Sequence, residues 1–496
     1  MLVDPKRRTG DVLDYGADPT GRADSTAAFR QALAGNPTVE VPPGTYRLTP
    51  NSLVIPPWVR IEFARTAVVQ TTSGASGYLF DCRGHNRICG GRFVHDSDDV
   101  VVVNVKGAVA DVLVSDLECI GCRILQSAPN AAAYADARDE NSPAQLRVCN
   151  CIATGAKVNT RSGAIFLGYC RDSAIWANRI YSHLNGIIWW GGDAAVDGRS
   201  ITSARKCRNL QIFGNLVSDV RAGGIWGSMG TGICISGNTV VSCGDVCIDF
   251  EGCVNCSATG NSVEDGVNGC LTTFYSNAGI VFSANSCVVT RTAYPLFRIY
   301  NSSRSPQDNI DISVTGNSFT CVSGEVGAVS EGGPYRVLNF SQNILRNVRI
   351  AWQGANNFHL VQIRANMLTF DAESPSALTA IDCSGGFAYS DIRGAVTVSG
   401  NQIVAYRAKA GSIGISVVTS DFTASSLVCI RENSIQGFWT DIATTESGAN
   451  PLIAGTYLVA ANVLGAGAYV RHESGVKRST VNYVGNYSGS GAPLPS

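Results

Sequence analysis

Along much of the chain, short stretches alternate between apolar and polar residues and end at an asparagine that follows a small residue. The position three before this asparagine is apolar in all twelve cases, and the position five before is apolar in eleven. The asparagines are Asn178, Asn215, Asn238, Asn261, Asn285, Asn317, Asn343, Asn366, Asn401, Asn433, Asn462 and Asn486. Apolar residues at every second position are typical of a strand with one buried face. Asparagine is expected at the corner after the strand, because it tolerates left-handed backbone.

Five of the steps between these asparagines are 23 or 24 residues long, and the others are longer. A unit of this length with short strands and no helical segment buries its apolar face only by stacking on its neighbours. The pattern therefore predicts an all-β fold, a right-handed parallel β-helix with at least twelve coils between about residues 160 and 488. We expect the asparagines to stack at one corner as a ladder of hydrogen-bonded amides. Leucine-rich repeats share the repeat length, but their leucine pattern and helical half are missing.

A short helix is predicted near the N-terminus. Asp24-Ser25 is a typical helix start, and Phe29, Ala32 and Leu33 form an apolar stripe over the next nine residues. This stripe would cover the open end of the first coil. We expect a cap segment with this helix over residues 1–50 and a single β-helix domain over residues 51–496.

Composition narrows the function classes. The formal net charge is −1, which gives no basic field for nucleic acid or an anionic membrane. No apolar run is long enough to span a bilayer, and we see no signal peptide at the start. Eighteen cysteines include the CxxC pairs Cys119/Cys122 and Cys253/Cys256, which are compatible with zinc or redox chemistry. We favour small, buried, mostly free thiols, with Cys247 close to Cys270, and expect no metal and no cofactor.

The N-terminal segment carries a resemblance. Asp14-Tyr15-Gly16-Ala17-Asp18, the run from Asp24 to Phe29, and Val41-Pro42-Pro43-Gly44-Thr45-Tyr46 resemble the signature of the pectate-lyase-like superfamily. This group includes relatives of polygalacturonases and the tailspike depolymerases of bacteriophages. The resemblance implies a polysaccharide partner, a homotrimer, and a place on a virion tail or outside the cell. The Gly-His-Gly and Arg-Ile-Lys elements of polygalacturonases are absent, so pectin hydrolysis is not implied.

Stacking lets outward side chains be assigned to columns. Counting from each ladder asparagine, positions +10 and +12 are taken as inward and +11 and +13 as outward. Glycan-binding aromatic and basic residues and a carboxylate pair then share one outward face: Trp189, Trp226, Asp249, Glu251, Phe274, Arg298 and Tyr300. An inserted loop over residues 191–206 adds Asp193 and Asp197, which we expect over the same face.

Asp249 and Glu251 are two residues apart on one strand, so they suit the acid and base of a glycoside hydrolase. Which carboxyl would be the acid is not decided by the sequence. Two alternatives stay open. One is a lyase acting on uronic acids, with Arg298 or Tyr300 as base and calcium held by the acids. The other is a glycan-binding spike without catalytic activity.

Overall fold

The computed structural model describes residues 9–131, 136–156, 163–198, 201–300, 310–331, 335–352, 358–372, 377–384, 395–407, 409–419, 427–446, 456–465, 470–474 and 480–488. These residues divide into two compact units. The first unit contains Met1–Asp193 and Ala204–Gly244, and the second contains Ala194–Ser203 and Asp245–Ser496. Each unit is a right-handed parallel β-helix, so the predicted all-β fold is confirmed. No helix in these ranges is long and apolar enough to cross a membrane.

The first unit has three parallel sheets, which we name A, B and C in the order in which each coil visits them. Its sheet A contains Thr9–Asp11, Thr38–Val41, Arg60–Phe63, Asn86–Cys89, Ala110–Ser115, Ala144–Cys149, Arg171–Trp176, Cys207–Phe213, Gly230–Thr231 and Cys234–Ser236. Its sheet B contains Thr20–Asp24, Gly44–Arg47, Ala67–Gln70, Arg92–Val94, Glu118–Ile120, Ile152–Thr154, Arg179–Tyr181, Leu216–Ser218 and Thr239–Cys243. Its sheet C contains Leu53–Ile55, Gly77–Cys82, Val100–Lys106, Arg123–Ala128, Gly163–Gly168, Asn185–Trp190 and Ile225–Ser228.

The second unit repeats the same three-sheet coil. Its sheet A contains Val254–Thr259, Ala278–Ser283, Ile310–Thr315, Tyr335–Ser341, Phe358–Arg364, Ala395–Ser399, Leu427–Arg431, Thr456–Ala460 and Thr480–Val484. Its sheet B contains Ser262–Gly266, Ser286–Val289, Ser318–Cys321, Ile344–Arg346, Met367–Phe370, Gln402–Ala405, Ser434–Gln436, Val463–Leu464 and Tyr487–Ser488. Its sheet C contains Val246–Glu251, Gly269–Phe274, Phe297–Tyr300, Gly327–Glu331, Val348–Trp352, Thr379–Ser384, Ile413–Thr419, Thr440–Glu446 and Val470–Ser474.

The predicted N-terminal helix is present over Thr26–Gly35, and Phe29, Ala32 and Leu33 are buried as expected. Its start differs from the expectation in one respect. The side chain of Ser25 makes no capping bond and instead accepts from the Asp18 backbone, while Asp24 accepts from the Thr26 backbone. Val12–Tyr15 and Asp139–Asn141 form short 3₁₀ helices.

The asparagine ladder is confirmed at the corner between sheets A and B. All twelve asparagines are buried, and in each unit the side-chain Nδ2 of one donates to the Oδ1 of the next. The distance is 2.9 Å from Asn215 to Asn238 and 3.0 Å from Asn343 to Asn366. Each Nδ2 also donates to a main-chain oxygen of the preceding coil, as Asn343 does to Val314. Buried amides are thus satisfied along the whole corner, which spares the fold the cost of unpaired polar groups.

The left-handed residue at this corner is not the asparagine, so that part of the prediction is wrong. In all twelve cases the residue immediately before the asparagine has a positive φ, for example Gly214 at 63° and Ala177 at 54°. Six of these twelve residues are glycine and four are alanine. The asparagine contributes its side-chain amide to the ladder. The residue before it, which is small in ten of the twelve cases, makes the turn.

All eighteen cysteines are thiols, and sixteen of them are buried, as predicted. Cys247 and Cys270 are close enough for a hydrogen bond between their side chains, as the stacking register requires. The thiols of Cys119 and Cys122 are also hydrogen-bonded to each other within the core. Burial raises the pKa of the Cys151 thiol to about 12, so the neutral form is strongly favoured there. The buried cysteines therefore act as small apolar residues of the core.

Candidate active site on the second unit

The strand Val246–Glu251 in sheet C of the second unit carries both predicted catalytic carboxyls. Its register against the next strand pairs Asp249 with Thr272 and Glu251 with Phe274. The following strand continues the same columns, because Thr272 pairs with Arg298 and Phe274 with Tyr300. The predicted alignment of these coils is therefore confirmed.

Alternation along this strand sets which side chains enter the core. Ile248 and Phe250 are fully buried, and the Phe250 ring lies 5.7 Å from the Phe282 ring. Because successive side chains of a strand point to opposite faces, Asp249 and Glu251 point away from this core.

Asp249 was expected to face solvent, and this part of the prediction is wrong. Its exposed fraction is only 1%, and within the described ranges its Oδ1 has no hydrogen-bond partner. The Thr272 hydroxyl donates to the Ile248 carbonyl over 3.3 Å, and its influence on the neighbouring Asp249 carboxyl lowers the pKa of that group. Burial, followed by the negative charge of Glu251, raises the pKa of Asp249 well above the usual range of a carboxyl. The neutral form of Asp249 is therefore favoured, and one of its oxygens lacks a hydrogen-bond partner among the described residues.

Glu251 has a different environment at the end of the same strand, where it is half-buried. Two hydrogen bonds hold the corner that follows Glu251. The Cys253 backbone N–H donates to Asn277 Oδ1 over 2.7 Å, and Asn277 Nδ2 donates to the Phe274 carbonyl over 2.7 Å. These bonds fix the ends of the two strands that carry Glu251 and Phe274.

Two of the predicted substrate-binding residues on this unit are partly accessible. Phe274 and Arg298 are both half-buried, and Phe274 contacts Tyr275 at a ring distance of 6.5 Å. Tyr300 lies in register beside Phe274, but its side chain falls outside the described residues. An aromatic ring and a guanidinium thus accompany the carboxyl pair in the same columns.

In the first unit the predicted orientation of Trp189 is wrong. Trp189 is fully buried, and its strand register pairs it with Gly227, whose missing side chain leaves room for the indole. The corner between sheets B and C is one residue shorter in this coil than in the next. The inward positions of this coil are therefore one residue earlier than predicted, and they are occupied by Ile187 and Trp189. The outward residue is Trp190, which is half-buried.

Trp226 of the first unit has the orientation predicted for it. It pairs with Ile188 and alternates with Ile225, which is in the core. Its indole is half-buried, and Nε1 donates to Asn185 Oδ1 over 2.9 Å. The bond holds the ring in one orientation, so Trp226 is available as a preordered aromatic surface.

The inserted loop carries the two remaining predicted carboxylates. Asp193 is half-buried at the end of a segment of the first unit, whereas Asp197 is exposed in a turn of the segment Ala194–Ser203. That segment belongs to the second unit by its contacts. A position over the Asp249 face remains a prediction for both.

The sequence did not reveal two further clusters in the first unit. Asp98 and His183 are buried together, with His183 Nδ1 3.7 Å from Asp98 Oδ1 and the Arg123 guanidinium donating to the Asp98 carbonyl. A cleft of about 490 Å³ is lined by Asp116, Glu118, Arg65 and Asn150, among others. Neither group forms a short motif, since coils widely separated in sequence bring its members together.

No protein-family model matches the chain, and no curated protein sequence is similar to it. Among solved structures, similarity is found to tailspike protein 3 of bacteriophage CBA120, with 16% identity and a TM-score of 0.46. The match covers 69% of this chain and 57% of the tailspike, so this chain spans little more than half of that protein's length. The Streptococcus pneumoniae surface protein and adhesin PfbA matches with 10% identity and a TM-score of 0.43 over 96% of this chain and 100% of that one. A GH87 α-1,3-glucanase from Streptomyces thermodiastaticus has 15% identity and a TM-score of 0.32, over 98% of this chain and 71% of that one.

Proposed function

We propose that this chain binds a polysaccharide and hydrolyses its glycosidic bonds, with Asp249 as the general acid and Glu251 as the second carboxylate. The observation that carries this proposal is the unequal environment of two carboxyls on one strand. Asp249 is buried with a pKa raised by burial and by Glu251, whereas Glu251 is half-buried. Paired carboxyls whose environments separate their pKa values in this way suit acid and base roles.

The proposed reaction assigns one role to each carboxyl. The Asp249 carboxyl gives its proton to the glycosidic oxygen as the bond from that oxygen to the anomeric carbon breaks. Glu251 either takes a proton from the attacking water or attacks the anomeric carbon itself. The Cα atoms of residues two apart on a strand lie about 6.6 Å from each other. That spacing accommodates both the wider carboxyl separation of inverting enzymes and the narrower one of retaining enzymes.

Substrate binding is assigned to the residues beside the pair. The Phe274 ring would pack on the C–H face of a sugar, and the Arg298 guanidinium would pair with a sugar carboxylate or hydroxyls. Tyr300 extends the Phe274 column by one coil and is proposed for the same role. Trp226 is proposed as a further aromatic contact on the first unit.

A second candidate function is glycan binding without cleavage. The burial of Asp249 favours it, because an acid with 1% of its surface exposed reaches a glycosidic oxygen only after the groups covering it move aside. Under this alternative Asp249 is a neutral structural acid that keeps a second charge away from Glu251.

One experiment separates these functions. The purified chain is incubated with a panel of bacterial capsular polysaccharides and O-antigens, and the products are sized and assayed for new reducing ends. Reducing ends without the ultraviolet absorbance of an unsaturated sugar indicate hydrolysis, whereas reducing ends with that absorbance indicate a lyase. Retention of a glycan without any new ends indicates a binding protein and contradicts the proposed cleavage.

The biological setting we propose is a bacteriophage tailspike that acts on a bacterial surface glycan as a homotrimer. This rests on the N-terminal signature from Asp14 to Tyr46. Light scattering is expected to give the mass of a trimer at micromolar concentration. A monomer at that concentration would contradict both the trimer and the tailspike assignment.

A further inference from the structure

In the first unit, the corner between sheets C and A repeats a left-handed residue in seven successive coils. The seven positions are equivalent, because the residues two positions later are aligned with one another on successive strands of sheet A. Arg60, Arg87 and Arg147 are three of these aligned residues. The seven residues are Trp58, His85, Asp111, Gln145, Asp172, Asn209 and Gly232. Asparagine, aspartate and glycine adopt this backbone readily, whereas a tryptophan rarely does. Trp58, with φ of 70°, therefore occupies a position that backbone preference disfavours for it.

Trp58 gains no burial that would explain its presence. Its side chain is among the most exposed large apolar groups of the described residues, with an exposed fraction of 69%. The indole is nevertheless held in place, because it stacks on the His85 ring at 3.7 Å between centroids and 5° between planes. One face of the indole is covered by His85, and the high exposure leaves the other face open to solvent. The result is a flat, preordered aromatic surface.

Charged side chains lie on the His85 side of this stack. His85 Nδ1 lies 3.1 Å from Asp111 Oδ2, and Arg87 Nη2 donates to the same oxygen over 3.3 Å. Arg147 donates to Asp111 Oδ1. The side chains of His85 and Arg147 are about two-fifths exposed, so polar groups beside the stack remain accessible to solvent. We call Trp58, His85, Arg87, Asp111 and Arg147 the Trp58 platform.

We propose that the Trp58 platform is an auxiliary glycan-binding site, which takes one pyranose residue of the polymer apart from the carboxyl pair. A pyranose ring has an apolar C–H face that suits the open face of the indole, and equatorial hydroxyls that suit the bordering guanidinium and carboxylate groups. An isolated aromatic ring bordered by ions does not resemble the apolar centre of a protein interface. The inference rests on the proposed function for the class of ligand and extends it to a second place on the chain.

The test substitutes Trp58 with asparagine, the residue type that already occupies this corner at position 209. Trp58→Asn removes the indole and suits the left-handed backbone, so thermal unfolding is expected to be unchanged or slightly higher in temperature. Trp439→Ala is the matched control, because Trp439 is 67% exposed and lies outside the platform. Wild type and both variants are run on native gels, each cast with one capsular polysaccharide or O-antigen from the panel. Reducing ends from polymer and from short oligosaccharides are measured in parallel.

We expect Trp58→Asn to bind the polymer about tenfold more weakly, since losing one aromatic stacking contact has an effect of that order. Its rate on short oligosaccharides should equal that of wild type, and Trp439→Ala should be retained like wild type. Equal retention of Trp58→Asn and wild type, with cleavage intact, would overturn the auxiliary site and leave the proposed function standing. A wild type that neither binds nor cleaves any glycan would overturn both. Lower stability of Trp58→Asn with unchanged retention would assign Trp58 a purely structural role.

Discussion

Asp98 in the first unit and Asp249 in the second are both buried to an exposed fraction of 1%, yet their neighbours carry opposite charges. Asp98 lies beside His183 and accepts a backbone bond from Ala156 over 3.0 Å. Burial raises the pKa of Asp98, but the Ala156 bond and the charges of Arg221 and Arg123 oppose this rise. At Asp249 burial and the charge of Glu251 act in the same direction.

The difference shows that burial alone does not make a carboxyl a candidate acid catalyst. Where cations and an N–H group lie beside the carboxyl, as at Asp98, they partly compensate the charged form, although burial still raises the pKa overall. Where a second carboxylate is the neighbour, the proton is retained and can be given to a substrate.

The largest effect is expected on turnover. Asp249→Asn and Glu251→Gln should each lower the rate of polysaccharide cleavage at least about a hundredfold, because general acid–base catalysis contributes roughly 10²–10⁴-fold per group. Asp98→Asn is the matched control, being the same substitution of an equally buried aspartate, and should keep its rate. Rates are measured from reducing ends with the polymer found in the screen. If Asp249→Asn and Glu251→Gln both retain turnover, Asp116 and Glu118 of the first-unit cleft are the next pair to substitute.

The second effect is on stability, and here substitution of Asp98, not of Asp249, should be the harmful one. Asp98→Asn should lower the free energy of unfolding by about 2 kcal/mol, since it weakens the bond from the Ala156 N–H and removes the charge that Arg123 and Arg221 face. Asp249→Asn should raise it, because at neutral pH the unfolded wild type gains the ionisation that burial and Glu251 disfavour in the folded protein, whereas an amide has no ionisation to lose. Urea unfolding of both variants at neutral pH measures this. A loss of stability for Asp249→Asn would mean that its carboxyl is charged in the folded protein.

The third effect is a pH dependence with opposite signs in the two units. Burial, aided by Arg123 and Arg221, lowers the pKa of His183 to about 3, so between about pH 6.5 and 3 the unfolded chain binds a proton that the folded chain excludes. Its contribution is present above pH 6.5 and is lost as the pH falls. His183→Gln should flatten this acid limb by up to about 2.7 kcal/mol at pH 4.5. The raised pKa of Asp249 acts in reverse, with stability lost as the pH rises through the ordinary carboxyl range.

Urea midpoints measured from pH 4 to 8 resolve these two contributions. An Asp249→Asn variant should lose less stability than wild type as the pH rises from 4 to 7. An acid limb that is equally steep in wild type and His183→Gln would show that His183 is already protonated when folded.

The smallest effect concerns Trp226 on the first unit. Trp226→Ala should weaken glycan binding a few-fold through loss of one aromatic surface, with little change in the rate for bound substrate. Trp226→Phe keeps a ring and loses only the bond to Asn185, so it should retain most of the binding. Equal binding by wild type and Trp226→Ala would confine the substrate contacts to other residues.

The stacking register was predictable from the sequence because the asparagine corner repeats its chemistry in every coil. The columns from Asp249 to Phe274 follow from counting along coils whose second corner has constant length. Arg298 stays in its column although the corner before it is two residues longer, because an even insertion keeps every side chain on its face. Trp189 was misplaced because the corner containing Ser182 and His183 is one residue shorter, and a shift of one residue reverses every side chain of the next strand. The length of a corner is hard to predict from the sequence, because its residues do not alternate between apolar and polar positions as strand residues do.

The burial of Asp249 was not predictable for a related reason. Alternation places it opposite Phe250 and away from the core, but whether other groups cover that face depends on residues distant in the sequence. The Asp98–His183 pair shows the same limit, since 85 positions separate its members. Local patterns thus specify the coil, and the environment of each polar side chain depends on the stack.

Each rung of the asparagine ladder in the second unit presents the same acceptor to the coil before it and the same donor to the coil after it. Asn343 and Asn366, for example, are 23 positions apart and make equivalent bonds to their neighbours. Removing or duplicating the stretch from one rung to the next would leave every buried amide with a partner. The corner therefore acts as a uniform joint, at which recombination can lengthen or shorten the protein by whole coils. Loops on the outer faces can then change their spacing along the axis while the amide corner stays the same.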